Sequence, residues 1–302
     1  MSPPLQVAHH GDVDLAYLDH GGPAGWPLLV VAGLGGGRLA YPAGFLDALT
    51  EVGFRVATYD PRDVGASTRF TGAPRPAPWR ALLGGGEPAY TAEDLTDDAV
   101  AVLDALGWDR ASVFGTSFGG LVAQRVALRH PHRVVSVTSM SAMPSDAGRL
   151  SGLRHLHPGF VRRTAALDFP ATPEGDLETA VAVARLCASP VYPFDEHGVR
   201  EALSAVPVEG VRDGQAQSRM LRAPWRGPRL REMRVPTLVL HGDRDPVVRP
   251  SAARAIARAV PDAHLEVVPG LGHDLPAPLW DRFAARTRAN ADRRGNGPSG
   301  GW

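Results

Sequence analysis

Of 302 residues, 44% are hydrophobic, enough for the core of one large domain carrying an insertion. Lys+Arg and Asp+Glu both number 32, so the formal net charge is zero. That balance argues against a basic surface built for DNA or an acidic membrane. The single cysteine, Cys187, excludes an internal disulfide and a four-cysteine metal site, and reads as a small buried apolar side chain.

The N-terminal stretch "MSPPLQVAHHGDVDL" has no basic region leading into an apolar core, so no signal peptide is expected. No apolar run approaches the roughly 20 residues of a membrane helix. The expectation is a soluble cytoplasmic protein with no nucleic-acid or membrane partner.

In chain order, "PLLVVAG" (27–33), "FRVATYD" (54–60), "ASVFG" (111–115) and "VVSVTSM" (134–140) are strand-length apolar runs. "TLVLHGD" (237–243) and "LEVVPG" (265–270) follow near the end. Most carry apolar side chains on both faces, the pattern of buried parallel strands. Helical stretches separate them. "TAEDLTDDAVAVLDALG" opens on Thr91 as N-cap with Asp94 three residues on, and stops at Gly107. "FGGLVAQRVALRHP" stops at Pro131, and "SAARAIARAVP" runs from Ser251 to Pro261. The alternation predicts an α/β fold, a mostly parallel sheet with helices on both faces.

Two blocks interrupt it. Residues 68–90 are rich in Pro and Gly and read as a loop. Residues 144–230 hold helical pieces such as "DLETAVAVARLCASP" but no convincing strand, and read as a helical insertion over the sheet's edge. The expected organisation is a core of 1–143 and 231–290, a helical cap at 144–230, and a disordered tail at 291–302.

"VFGTSFGGLVAQ" (113–124) sits between a predicted strand and a predicted helix, and Gly115-Thr116-Ser117-Phe118-Gly119 fits G-x-S-x-G. A chain reversing from strand to helix over so few residues pushes Ser117 into a sparsely allowed backbone region, at about 1–3 kcal/mol. Glycine two residues before and after makes room for the turn. The hydroxyl then stands at a helix N-terminus, where the helix dipole favours negative charge. A serine needs a base to become a nucleophile. His273 in "VVPGLGHDLP" and Asp245 in "LVLHGDRDPVV" follow successive strands, downstream of the serine. All three fall at the C-terminal ends of parallel strands, where ligands bind in open α/β sheets. Asp243 is a rival acid closer to its strand. Asp274 reads as a cap or a solvent-facing group, and His241 as a locally packed one. His155 and His157 have alternating spacing but no evident third ligand, so no metal is expected. Oxyanion donors are expected from the backbone N–H groups of Phe118 and of Leu34 in "GLGGG". No dinucleotide or Walker pattern is present, and no cofactor is expected.

These motifs resemble the α/β-hydrolase family over about residues 5 to 290. The "DPRDVGAS" segment is similar to the family's D-x-R-x-x-G-x-S turn at Asp60, Arg62, Gly65 and Ser67, a structural turn there. Where the family often has His-Gly at the oxyanion strand end, this chain has Ala32-Gly33. The nearest subgroup resembles aclacinomycin methylesterase. The resemblance implies an α/β-hydrolase with a helical cap after the sixth strand and a Ser117–His273–Asp245 triad, acting on a hydrophobic small-molecule ester. The same triad serves lactonases, thioesterases, peptidases and perhydrolases, and non-catalytic binding homologues exist. Trp79, Phe160, Phe169, Tyr192, Phe194 and Trp225 fall in the loop and the cap, either lining an apolar pocket or packing the cap onto the core.

Overall fold

A computed structural model describes residues 3–22, 25–70, 89–170, 172–204, 219–221 and 223–293. Trp79, most of the 68–90 loop and the tail from 294 onward lie outside the described residues.

The chain opens with β1 (Gln6–His10) and β2 (Val13–Gly21), an antiparallel pair. β3 (Trp26–Val31), α1 (Ala43–Glu51) and β4 (Phe54–Tyr59) follow, then α2 (Ala92–Ala105), β5 (Ala111–Thr116), α3 (Phe118–Arg129) and β6 (Val134–Met140). After β6 the chain runs through α4 (Arg149–Leu153), α5 (Pro158–Ala165), α6 (Pro173–Cys187) and α7 (Glu196–Ser204). It then returns with β7 (Thr237–Gly242), α8 (Pro250–Ala259), β8 (Ala263–Val268) and α9 (Trp280–Asp292).

The strands form one sheet in the order β1-β2-β4-β3-β5-β6-β7-β8, with every pair from β4 to β8 parallel. The six apolar runs read from the sequence are β3 to β8, within two residues at their ends. β1 escaped that reading because two of its five residues are exposed and its histidines break the apolar pattern, and β2 because Asp14, Asp19 and His20 interrupt its apolar run. The final helix extends to Asp292, two residues past the expected core boundary.

α2, α3 and α8 cover one face, burying Val102, Leu103, Val126 and Ile256 against Leu29, Val113 and Val239. α1 and α9 cover the other, burying Phe45, Leu49 and Phe283 against Leu28, Phe114 and Leu240. At about 1.5–3 kcal/mol for each large apolar side chain fully buried, these two layers hold the sheet rigid. Thr91 caps α2 with a complete capping box: its side chain accepts from Asp94 N, and the Asp94 carboxylate accepts from Thr91 N. Among the described residues, no helix is long and apolar enough to cross a membrane.

The insertion is tied to the core next to the loops after β7 and β8. Leu156 forms a bridge with Val248, and His157 N donates to Val247 O at 2.9 Å. At its other end, Arg219 makes a two-point ion pair with Asp63, both buried, at 2.7 Å for each contact.

Candidate active site

Ser117 links β5 to α3 with φ 54° and ψ −119°, a backbone conformation that costs about 1–3 kcal/mol for a residue with a side chain. The neighbouring strand buttresses it through Ser117 N, which donates to Met140 O at 2.8 Å. The two glycines have different neighbours. A Cβ on Gly115 would overlap the Gly119 carbonyl group, the approach expected from the sequence. A Cβ on Gly119 would instead strike the carbonyl oxygens of Val31 and Ala32 at the end of β3. Gly119 therefore lets two strand ends meet. Gly119→Ala is expected to destabilise the protein by about 1–3 kcal/mol through overpacking, and to lower activity by displacing the loop after β3. Gly152→Ala, where an added Cβ meets nothing within 4 Å, is the control. Thermal melts of the two variants check this, and equal melting temperatures would contradict it.

The loop after β3 closes as a turn, with Gly36 N donating to Gly33 O at 2.9 Å and Gly35 at φ 73°. Left-handed backbone at the third position alone is the type II pattern. Leu34, at the second position, keeps its N–H without a protein acceptor among the described residues, as does Phe118 at the first turn of α3. The Gly33 Cβ position lies 3.6 Å from Ser117 Cβ, so this turn stands beside the serine.

Two residues hold the turn: Tyr41, which the sequence reading did not select, and Asp60, which it named only as part of a structural turn. The Tyr41 hydroxyl donates to Val31 O at 2.8 Å, lies 3.0 Å from Thr116 Oγ1, and accepts from Thr116 N at 3.2 Å. It thus laces the end of β3 to the serine elbow. Burial pushes this phenol far up, so it stays a neutral donor. The Asp60 carboxylate accepts from Arg38 N at 2.7 Å and from Ala66 N at 2.9 Å, and pairs with the Arg38 guanidinium. The "DPRDVGAS" turn therefore anchors the far end of the same loop. Motif spacing gives a signal for Asp60; nothing in the sequence singles out Tyr41.

Asp245, 2% exposed, follows β7. Its Oδ1 accepts from Val247 N and Val248 N, both at 2.8 Å, and its Oδ2 lies 2.7 Å from His273 Nδ1. A carboxylate only accepts, so the proton between them sits on Nδ1 and Nε2 carries the free lone pair. Asp243 faces elsewhere, accepting from Gly270 N at 2.7 Å. His241 is fully buried, and its Nε2–H donates to Val248 O at 2.9 Å. Burial holds that imidazole below the usual histidine range, so it stays neutral.

The His273 loop is fastened to the insertion. His273 N donates to Cys187 O at 2.7 Å, and Ser189 Oγ donates to Gly270 O at 2.6 Å. Asp274 accepts from Ser189 N at 3.0 Å. Asp274 thus faces the insertion, where the sequence suggested a cap or solvent. Its carboxyl is raised, mainly by burial. Burial, then the charges of Asp245 and Asp274, pushes the Cys187 thiol up to about 12, so it supplies no rival thiolate. His155 Nδ1 pairs with Ser251 Oγ at 3.0 Å, and no group of three metal-ligating side chains occurs among the described residues.

A cavity of about 560 Å³ begins at Phe118 and follows α3 past Leu121 and Arg125, roofed by Trp225 and closed by Met143 and Leu156. Ser117 and His273 are not among its walls, but Phe118, the residue that follows Ser117, is. Of the aromatic residues singled out from the sequence, Trp225 lines this cavity. Phe169 lines a smaller one inside the insertion, and the Arg185 guanidinium lies over Phe194. Tyr192 packs on the core, its hydroxyl donating to Pro269 O at 3.3 Å. Phe160, in α5, is half-buried.

A family model described as alpha/beta hydrolase fold matches residues 27–276. The chain is 31% identical over 309 residues to rhodomycin D methylesterase of Streptomyces peucetius, covering 95% of this chain and 99% of that one. It is 28% identical over 270 residues to a 2-hydroxymuconate semialdehyde hydrolase of Pseudomonas sp. strain CF600, covering 88% and 87%. Among solved structures, an esterase from Rhodococcus sp. ECU1013 superposes with a TM-score of 0.73 at 22% identity, covering 97% of this chain and 99% of that one, a likeness of fold.

Proposed function

The chain belongs to the α/β-hydrolase fold family, and from that premise we propose that it is a serine ester hydrolase with Ser117 as nucleophile, His273 as base and Asp245 as the orienting acid. The observation that carries this reading is the hydrogen bond from His273 to the buried Asp245, on the loops that follow β7 and β8, with the serine elbow after β5 in the same sheet. The transfer this reading adds is from Ser117 Oγ to His273 Nε2. Ser117 Oγ attacks the ester carbonyl as His273 takes its proton, and the N–H groups of Leu34 and Phe118 receive the oxyanion. His273 then gives the proton to the leaving alcohol. A water, deprotonated by the same nitrogen, attacks the acyl-serine, and the proton returns to Ser117 as the acid leaves.

The similarity to a rhodomycin D methylesterase supports a methyl ester of a polyketide-type aromatic metabolite as substrate. The cavity supports it too: its volume lies in the drug-sized range of about 300–1,000 Å³, with aromatic and aliphatic walls. In this reading the helices between β6 and β7 act as the cap that sets specificity. A fluorophosphonate probe is expected to label Ser117, and a panel of polycyclic aromatic esters to show faster turnover for methyl than for butyl alcohols. A folded protein whose Ser117 stays unlabelled would refute the nucleophile assignment.

A further inference from the structure

The described structure has three buried arginines, and two of them are paired. Arg62 holds Asp98 through Nε and Nη2, both at 2.6 Å, and Arg219 holds Asp63 through two contacts at 2.7 Å. Arg125 is 8% exposed and has no carboxylate within ion-pair distance among the described residues. Its Nε and Nη2 donate to one backbone carbonyl, Ser145 O, at 3.2 and 3.0 Å. Its guanidinium lies 5.3 Å from the Trp225 ring centroid. Its Nη1 has no acceptor among the described residues.

The acidic groups close enough to act on Arg125 at longer range are already engaged. Asp146 accepts from Leu230 N at 3.2 Å, and Glu93 from Arg226 N at 2.7 Å. Burial lowers the Arg125 guanidinium to about 10, which leaves it cationic at neutral pH. A buried charge with no directly paired counter-charge is ordinarily avoided, because its desolvation is only partly offset by more distant carboxylates such as Asp146 and Glu93. Here it lies on a cavity wall, on the same face of α3 as Phe118 and Leu121. Among the described residues, the cavity lining includes three arginines, Arg125, Arg226 and Arg229, and one acidic residue, Asp146.

We propose that this cavity seats the non-reacting part of the substrate, a flat aromatic body bearing an anionic oxygen, and that Arg125 is the specificity-determining residue that receives that oxygen on Nη1. The inference deepens the ester-hydrolase reading and rests on it for the reaction, but not for the binding. The indole of Trp225 holds the guanidinium and offers an edge against the aromatic body. Because neither Ser117 nor His273 lines the cavity, the Arg125 contact is made away from the reacting atoms and equally in ground and transition states. It should therefore act on KM and leave kcat little changed.

The test uses the full chain carrying Ser117→Ala, so that ligands bind without turnover. Two ligands of one shape are compared by calorimetry: the monomethyl ester of naphthalene dicarboxylic acid, which keeps one carboxylate, and the matching neutral ester-amide. The anionic ligand is expected to bind about tenfold tighter or more, in line with a hydrogen bond to a charged group. Adding Arg125→Met should bring the two affinities together, and Arg125→Lys should keep part of the preference. A role for Arg125 confined to supporting Trp225 would weaken both ligands alike and leave their ratio unchanged. Equal affinities with Arg125 present, a comparison that needs no Arg125 variant to fold, would overturn the proposal. Anion preference without hydrolysis of either ester by the Ser117-containing protein would instead count against the ester-hydrolase reading and leave the subsite standing.

Discussion

Ser117→Ala is expected to lower kcat for the preferred methyl ester by about 10⁵–10⁶, with KM changed a few-fold at most. The large factor follows from the triad acting as a unit, so that removing the nucleophile leaves only the oxyanion donors and substrate binding. A companion variant separates chemistry from structure. Ser117 pays for its position with a positive φ, and alanine does not relieve that strain. Glycine does, so Ser117→Gly should be as inactive as Ser117→Ala yet more stable than it by about 1 kcal/mol. Kinetics on the methyl ester and thermal melts of both variants check this. Ester turnover within tenfold of the parent in either variant would show that the elbow is only a turn.

The parts of this site differ in how far they can be seen from the sequence. The residues proposed to carry the chemistry could be picked out because each stands in a local pattern. Ser117 has its glycines, and Asp245 and His273 each follow an apolar strand of a predicted parallel sheet. The six strands of that sheet were legible for the same reason: burial on both faces leaves a continuous apolar run. The supports were not legible, because their partners lie far along the chain. Tyr41 meets Thr116 across 75 positions, and Ser189 meets Gly270 across 81. Single residues at such separations leave no periodic trace. α1 was hidden for a related reason. It is nine residues long and contains Gly44, a poor helix former, whose place is set by close contact with Trp280 of α9. α9 in turn is polar enough that its buried residues, Phe283, Ala284 and Thr287, do not stand out as an apolar stripe.

The loops that carry the proposed acid and base also share a mechanical connection that bears on specificity. The insertion grips the acid loop through Leu156 and His157, and the base loop through Cys187 and Ser189. A substrate contacting the insertion thus touches segments directly bonded to Asp245's and His273's loops. Changes in the insertion are therefore expected to alter base placement as well as pocket shape, since about 1 Å of misplacement can cost on the order of 10²-fold in rate.

Asp245→Asn is expected to lower kcat by about 10⁴ with little change in stability, and the reason lies in which oxygen does what. Oδ1 accepts two backbone N–H groups, from Val247 and Val248, while Oδ2 faces His273 Nδ1. In the amide variant only the carbonyl oxygen can accept those two backbone bonds, so it takes the Oδ1 position. The NH₂ group then faces Nδ1, which must become an acceptor. The imidazole proton moves to Nε2, and the nitrogen that should take the serine proton already holds one. Packing and backbone bonds are kept, so the loss is one of tautomer. Asp245→Ala is the weaker test, because it leaves two N–H groups without acceptors at about 1–3 kcal/mol each and confounds folding with chemistry. Asp243→Asn is the matched control: its oxygen accepts Gly270 N, which an amide carbonyl can also do, so kcat should stay within about tenfold. The reverse pattern, a 10⁴-fold loss at Asp243 and near-normal kcat at Asp245, would transfer the acid's role to Asp243.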